Sequence, residues 1–128
     1  MQTCARFLGL ALLAAACATD ITHHARPVAL VALEAGGVYE LMSEIELELS
    51  SGRVRAPLAA GSHWKAVGTI PEGTVYRPLD HLLQVHTGHS YEAYLVCSQG
   101  QILGVYLPVE DSFVEAEQVI PVQLEVTR

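Results

Sequence analysis

From residue 28 onward, apolar residues come in short bursts that stop at glycine, proline or polar pairs. Most of these bursts alternate with polar residues at a period of two, the pattern of half-buried strands. "EIELELS" at 44–50 alternates strictly, with Glu44, Glu46 and Glu48 on one face and Ile45, Leu47 and Leu49 on the other. Residues 38–49 also carry a helical spacing in Leu41, Ile45 and Leu49, but that stripe leaves Leu47 facing away, so strand is the better fit. Strands are further predicted at 28–33, 63–70, 74–77, 82–86, 91–97 and 102–107. "SQGQ" at 98–101 is the link of a hairpin, and Pro71-Glu72-Gly73 is a second turn. The chain closes on "VIPVQLEV", where Ile120, Val122, Leu124 and Val126 alternate inward. Many short strands between Gly and Pro turns predict an all-β domain, a small antiparallel barrel or sandwich.

The first residues follow a different pattern. Arg6 precedes an apolar stretch, Phe7 to Ala16, that ends in Ala14, Ala15 and Ala16. A bilayer span takes about 20 apolar residues, so this stretch reads as a removable export signal. "LAAAC" at 13–17 resembles the lipobox of bacterial lipoproteins, in which the cysteine becomes the lipid-bearing N-terminus. Leu13 stands four residues before Cys17, with Ala14 where that family prefers Leu. The resemblance implies a lipid on Cys17 that holds the protein in the membrane, and Ala18 implies sorting to the periplasmic face of the outer membrane. Signal peptidase acting on Ala16-Cys17-Ala18 is the alternative, and it would release a soluble periplasmic protein. The expected organisation is a signal peptide at 1–16, the lipidated Cys and a tether at 17–27, and a single β domain at 28–128.

A second resemblance is carried by "VGTIPEGTVY" at 67–76 and by Gly104-Val105-Tyr106. These segments look like the repeats of bacterial Src-homology-3-like domains, and they imply a small barrel and cell-wall binding.

Composition narrows the functional classes. Asp plus Glu number 14 against 7 Lys plus Arg, and the basic residues are scattered, which excludes a phosphate-binding surface for nucleic acid. Cys4, Cys17 and Cys97 are an odd set; loss of Cys4 with the leader and lipidation of Cys17 leave Cys97 as one thiol. Cys97 is in phase with Ala93 and Leu95 and is expected inside, inert. No Gly-x-Ser-x-Gly elbow, phosphate loop or nucleotide fingerprint is present, and Asp80-His81 and His89-Ser90 are sequence neighbours rather than a triad. The chain therefore reads as non-catalytic, with no cofactor.

The candidate binding residues are the acidic face Glu44, Glu46 and Glu48, as a docking strip, and the aromatics Trp64, Tyr94 and Tyr106. Tyr94 and Tyr106 fall out of phase with their inward neighbours, and exposed aromatics on adjoining strands would offer a surface to peptide or glycan. His81, His86 and His89 are the candidate metal ligands of an alternative reading, a periplasmic metal-binding protein. Alternation places His86 outward and His81 inward. The expected partner is another envelope protein or peptidoglycan.

Overall fold

The computed structural model describes residues 25–49, 54–86 and 90–127. Every regular element among them is a strand. β1 (Ala25–Pro27) and β2 (Val31–Ala32) are short N-terminal pieces, followed by β3 (Val38–Leu41), β4 (Ile45–Leu49) and β5 (Val54–Leu58). β6 (His63–Ile70) and β7 (Gly73–Pro78) form one long hairpin; β8 (Gln84–His86) and β9 (Ser90–Glu92) pair only with each other. β10 (Tyr94–Ser98) and β11 (Gln101–Leu107) form a second hairpin, and β12 (Ser112–Pro121) and β13 (Leu124–Val126) follow. The main sheet runs β13-β3-β6-β7-β10-β11-β12-β4-β5, entirely antiparallel, and curls into a half-barrel.

Two inserted residues account for much of the curl. On β6, Ala66 pairs with Tyr76 and Gly68 with Val75, so Val67 is an extra residue. On β11, Ile102 pairs with Cys97 and Gly104 with Val96, so Leu103 is extra. A bulge bends its strand and changes which side chains face each side. Trp64 and Ile70 share a parity on β6, yet Trp64 packs in the main core and Ile70 in a second cluster.

That core fills one face of the sheet. Leu41, Leu47, Leu49, Leu95 and Leu107 are fully enclosed there, each worth roughly 1.5–3 kcal/mol relative to exposure. The second cluster, Ile70, Val75, Val96, Tyr106 and Phe113, is joined by both inserted residues and by Val28 and Leu30. Val28 and Leu30 belong to a strap. β1 pairs with β12 and β2 with β6, so residues 25–32 tie together two strands that stand four places apart in the sheet. Arg26 fastens the strap further, pairing with Glu72 in the β6–β7 turn and lying over the Phe113 ring, 5.5 Å from its centre.

The all-β expectation is met, with changes in detail. Residues 38–49 are two strands and no helix. Ala25–Pro27, assigned to the tether, already pair with β12, so the folded domain begins before residue 28. Of the run at 28–33, only Val31–Ala32 is strand. The closing run divides between β12 and β13, and Val126 is 64% exposed because β13 ends the sheet and pairs with β3 alone. β5, at the opposite end, alternates buried and exposed residues and carries Pro57, which has no N–H to offer a further strand.

Candidate binding groove

The acidic face forms as the alternation predicts, but it is already answered. Arg55 on β5 stands opposite Glu48, and its guanidinium lies 3.4 Å from Glu46 and 3.8 Å from Glu48. Both contacts are solvent-exposed, so they add little stability, and the single Arg55 charge offsets one of the two carboxylates it meets. Glu44 precedes β4 and lines a different surface, described below.

The proposed aromatic surface is not available. Trp64 is 3% exposed in the main core, where its indole N–H donates to the Ser62 hydroxyl at 2.9 Å. That hydroxyl donates in turn to the Ala59 carbonyl at 2.6 Å, so Ser62 both accepts and donates in a short chain of hydrogen bonds. Tyr94 and Tyr106 do stand side by side across β10 and β11, and they do face away from the main core. They face the second cluster instead of solvent. Tyr106 is 2% exposed, half-buried Tyr94 packs on the cluster, and their ring centres are 6.3 Å apart. The Tyr106 hydroxyl donates to the Asp111 carboxylate, and burial followed by that hydrogen bond pushes it up to about 12.

Histidines are arranged differently from the expectation. His81 is exposed and lies outside any strand, so the parity that turned it inward does not apply. His81 and His86 line one open groove of about 750 Å3, together with Glu44, Arg55 and Leu82. His86 Nδ1 is 2.8 Å from the Ser90 hydroxyl. Among the described residues no three His, Cys, Asp or Glu side chains converge as metal ligands; His89 lies outside those residues, as does Cys17. The most engaged histidine is one that sequence reasoning passed over. His63 on β6 gives its backbone N–H to Asp80 Oδ2 at 2.8 Å, and its Nδ1 lies 3.0 Å from the same oxygen. The backbone bond first, and the ring second, hold the Asp80 carboxyl below its usual range. This contact pins the segment that follows β7.

Cys97 is buried and burial alone pushes its thiol up to about 12, so at neutral pH it is held as the neutral thiol rather than the nucleophilic thiolate. It does mark a site. Beside it opens a groove of about 400 Å3, bounded by the start of β7, the end of β10 and the segment entering β13. Tyr39 and Tyr76 form one wall, edge to face at 89° with ring centres 5.4 Å apart. Thr74, Ser98, Gln99 and Gln123 supply hydroxyl and amide groups, and Val122 and Leu124 supply apolar surface. None of the lining residues is Asp, Glu, Lys, Arg or His.

Three local features build this groove. Ser98 pairs with Gln101, leaving Gln99 and Gly100 as a two-residue turn with φ of 53° and 74°, the conformation of a type I′ hairpin. Val122 N–H donates to the Gly100 carbonyl at 2.9 Å, and Met42 N–H to the Gln123 carbonyl at 3.0 Å, which hold 122–124 across the turn and against β3. Tyr39 arrives on β3, whose partner β6 carries β7 and Tyr76 on its other side. Burial, then the neighbouring Cys97 and Tyr39, keeps the Tyr76 hydroxyl above its ordinary range, so it stays neutral. The groove has hydrogen-bonding and stacking surfaces but no acid or base that exchanges protons near neutrality. Its residues come from four separated stretches. The turns at Gly73 and Gly100 and the inward alternation of Cys97, Val122 and Leu124 carried a sequence signal; Tyr39 lay in the ambiguous stretch at 38–49.

Among the described residues no helix is long and apolar enough to cross a membrane. No protein-family model, curated protein or solved structure matches the chain.

Proposed function

We propose that this chain is a bacterial envelope lipoprotein whose β domain binds another envelope component without catalysis, and that the groove walled by Tyr39 and Tyr76 is the binding face. The observation that carries this reading is the groove itself: aromatic walls, amide and hydroxyl groups, and no titratable carboxylate, imidazole or cation among its lining residues. Recognition by fixed aromatic and amide surfaces needs no proton transfer, whereas general acid–base chemistry needs groups poised near the working pH. Cys97, the one thiol that lies at the groove, is held protonated by burial.

The export half of the proposal rests on Arg6, the apolar stretch and "LAAAC". A lipid on Cys17 places the domain at the periplasmic face of the outer membrane, with Ala18 as the residue that favours that leaflet. From Cys17 to Ala25 there are eight residue steps, which reach at most about 29 Å when fully extended. The partner is therefore sought close to the membrane surface.

Palmitate labelling and envelope capture test the two halves together. Label present in wild type and lost in Cys17→Ala is expected; equal label in both, or none in either, removes the lipid anchor. Capture of an envelope component is expected to be lost in the double variant Gln99→Gly, Gln123→Ala and kept in Glu46→Lys, Glu48→Lys. The reverse pattern would return binding to the acidic face.

A further inference from the structure

We infer that the Tyr39–Tyr76 groove takes an uncharged carbohydrate chain; this rests on the reading of the domain as a non-catalytic binding module and names its ligand class. The charge of the site is the first argument. The chain carries a formal charge of −7, yet no charged side chain lines this groove. An anionic polymer would meet a net-negative protein with no cation among the lining residues, and a cationic one would meet only the Glu125 carboxylate at the rim, already engaged by the Gln123 amide at 3.2 Å.

The backbone supplies the second argument. Peptides bound as an added strand need an unpaired sheet edge. Here Thr74 is paired with Cys97 and Tyr76 with Leu95, and Val122 N–H is committed to Gly100, so β7 and β10 offer no edge at the groove, and the free edge beside it is the three-residue β13. Along β7 and β10 recognition falls to side chains. Thr74, Ser98, Gln99 and Gln123 are neutral groups that both donate and accept, the match for sugar hydroxyls and acetamides. The half-buried tyrosine rings offer apolar surface to the C–H faces of a pyranose.

The groove is open, so a chain passing through it is accommodated more readily than a small enclosed ligand. Gln99 sits in the turn with positive φ, and glycine keeps that conformation while removing the amide. Gln123 is exposed, and its amide reaches only Glu125 Oε1, at 3.2 Å. Both positions therefore report on the site without emptying the core.

The test is a titration of the full-length exported protein with chitohexaose and maltohexaose, followed by amide chemical shifts. An anionic hyaluronate oligomer and an uncharged Ser/Gly peptide are the controls, and buried Trp64 emission confirms folding. Saturable binding of an uncharged oligosaccharide is expected, with shifts at Thr74, Ser98, Gln99 and Gln123. Gln99→Gly and Gln123→Ala are each expected to weaken it about fivefold, the loss of one hydrogen bond. Saturable binding that neither variant weakens overturns the location. Preference for hyaluronate or for the peptide overturns the ligand class. No oligosaccharide binding alongside groove-dependent capture of an envelope protein also overturns the ligand class while the binding-module reading stands; loss of both defeats both.

Discussion

At the scale of single residues, Cys97 gives the sharpest chemistry. An ordinary thiol ionises near about 8.5, whereas burial pushes Cys97 to about 12. The unfolded chain therefore releases this proton first as pH rises. The stabilising contribution is complete below about 8.5, declines above it, and is gone once pH passes about 12. Denaturant unfolding followed by Trp64 emission is expected to show stability falling from about pH 9 upward, and Cys97→Ala is expected to flatten the onset of that fall. An unchanged profile in the variant would mean the thiol is not desolvated. Alkylation at neutral pH is likewise expected to require unfolding. The acidic residues teach the opposite lesson: Glu46 and Glu48 take the face their alternation predicts, but a neighbour from a strand hidden in "VRAPL" decides what they are worth.

Among the elements, the strap ties β12 and β6 together across the curl. Its closest approach is at Gly68, where a Cβ would lie 2.6 Å from Leu30 Cδ1 and 2.7 Å from the Val31 carbonyl oxygen. Gly68→Ala is expected to push β2 off β6 and to cost about 1–3 kcal/mol, an overpacking penalty. Hydrogen exchange is expected to quicken at Leu33, whose N–H donates to Val67 at 3.0 Å, before it does so at Leu95 in the core. Equal acceleration at both would show that the strap is no separate unit. How far the sequence reveals these elements depends on their surroundings. β4 and the β10–β11 hairpin were legible because one-sided burial leaves an alternating pattern and the turn chemistry is specific. The strap was misread because residues 28–33 pack only partly on a second cluster, which blurs alternation, and Pro27 looked like a linker residue. Trp64 and Ile70 show a further limit: a bulge at Val67 switches faces mid-strand, and no periodicity announces it.

For the whole molecule, the acidic face forms as expected, the aromatic surface is largely enclosed, and the groove beside Cys97 is added as the proposed binding face. Arg55 pairs with Glu46 and Glu48, and Trp64 and Tyr106 are buried with Tyr94 half-buried, while sheet order brings Tyr39 beside Tyr76 across β6. Such a site was not legible, because it depends on which strands become neighbours, and local pattern does not fix that. On the proposed reading, an export-tethered domain meets its envelope partner at this neutral groove. Photo-crosslinking in living cells tests it most directly, with a benzophenone residue placed in turn at Gln99, Gln123, Glu46 and Glu48. Adducts from positions 99 and 123, and none from 46 or 48, are the predicted result. Adducts confined to 46 and 48, or absent from all four positions, would contradict it.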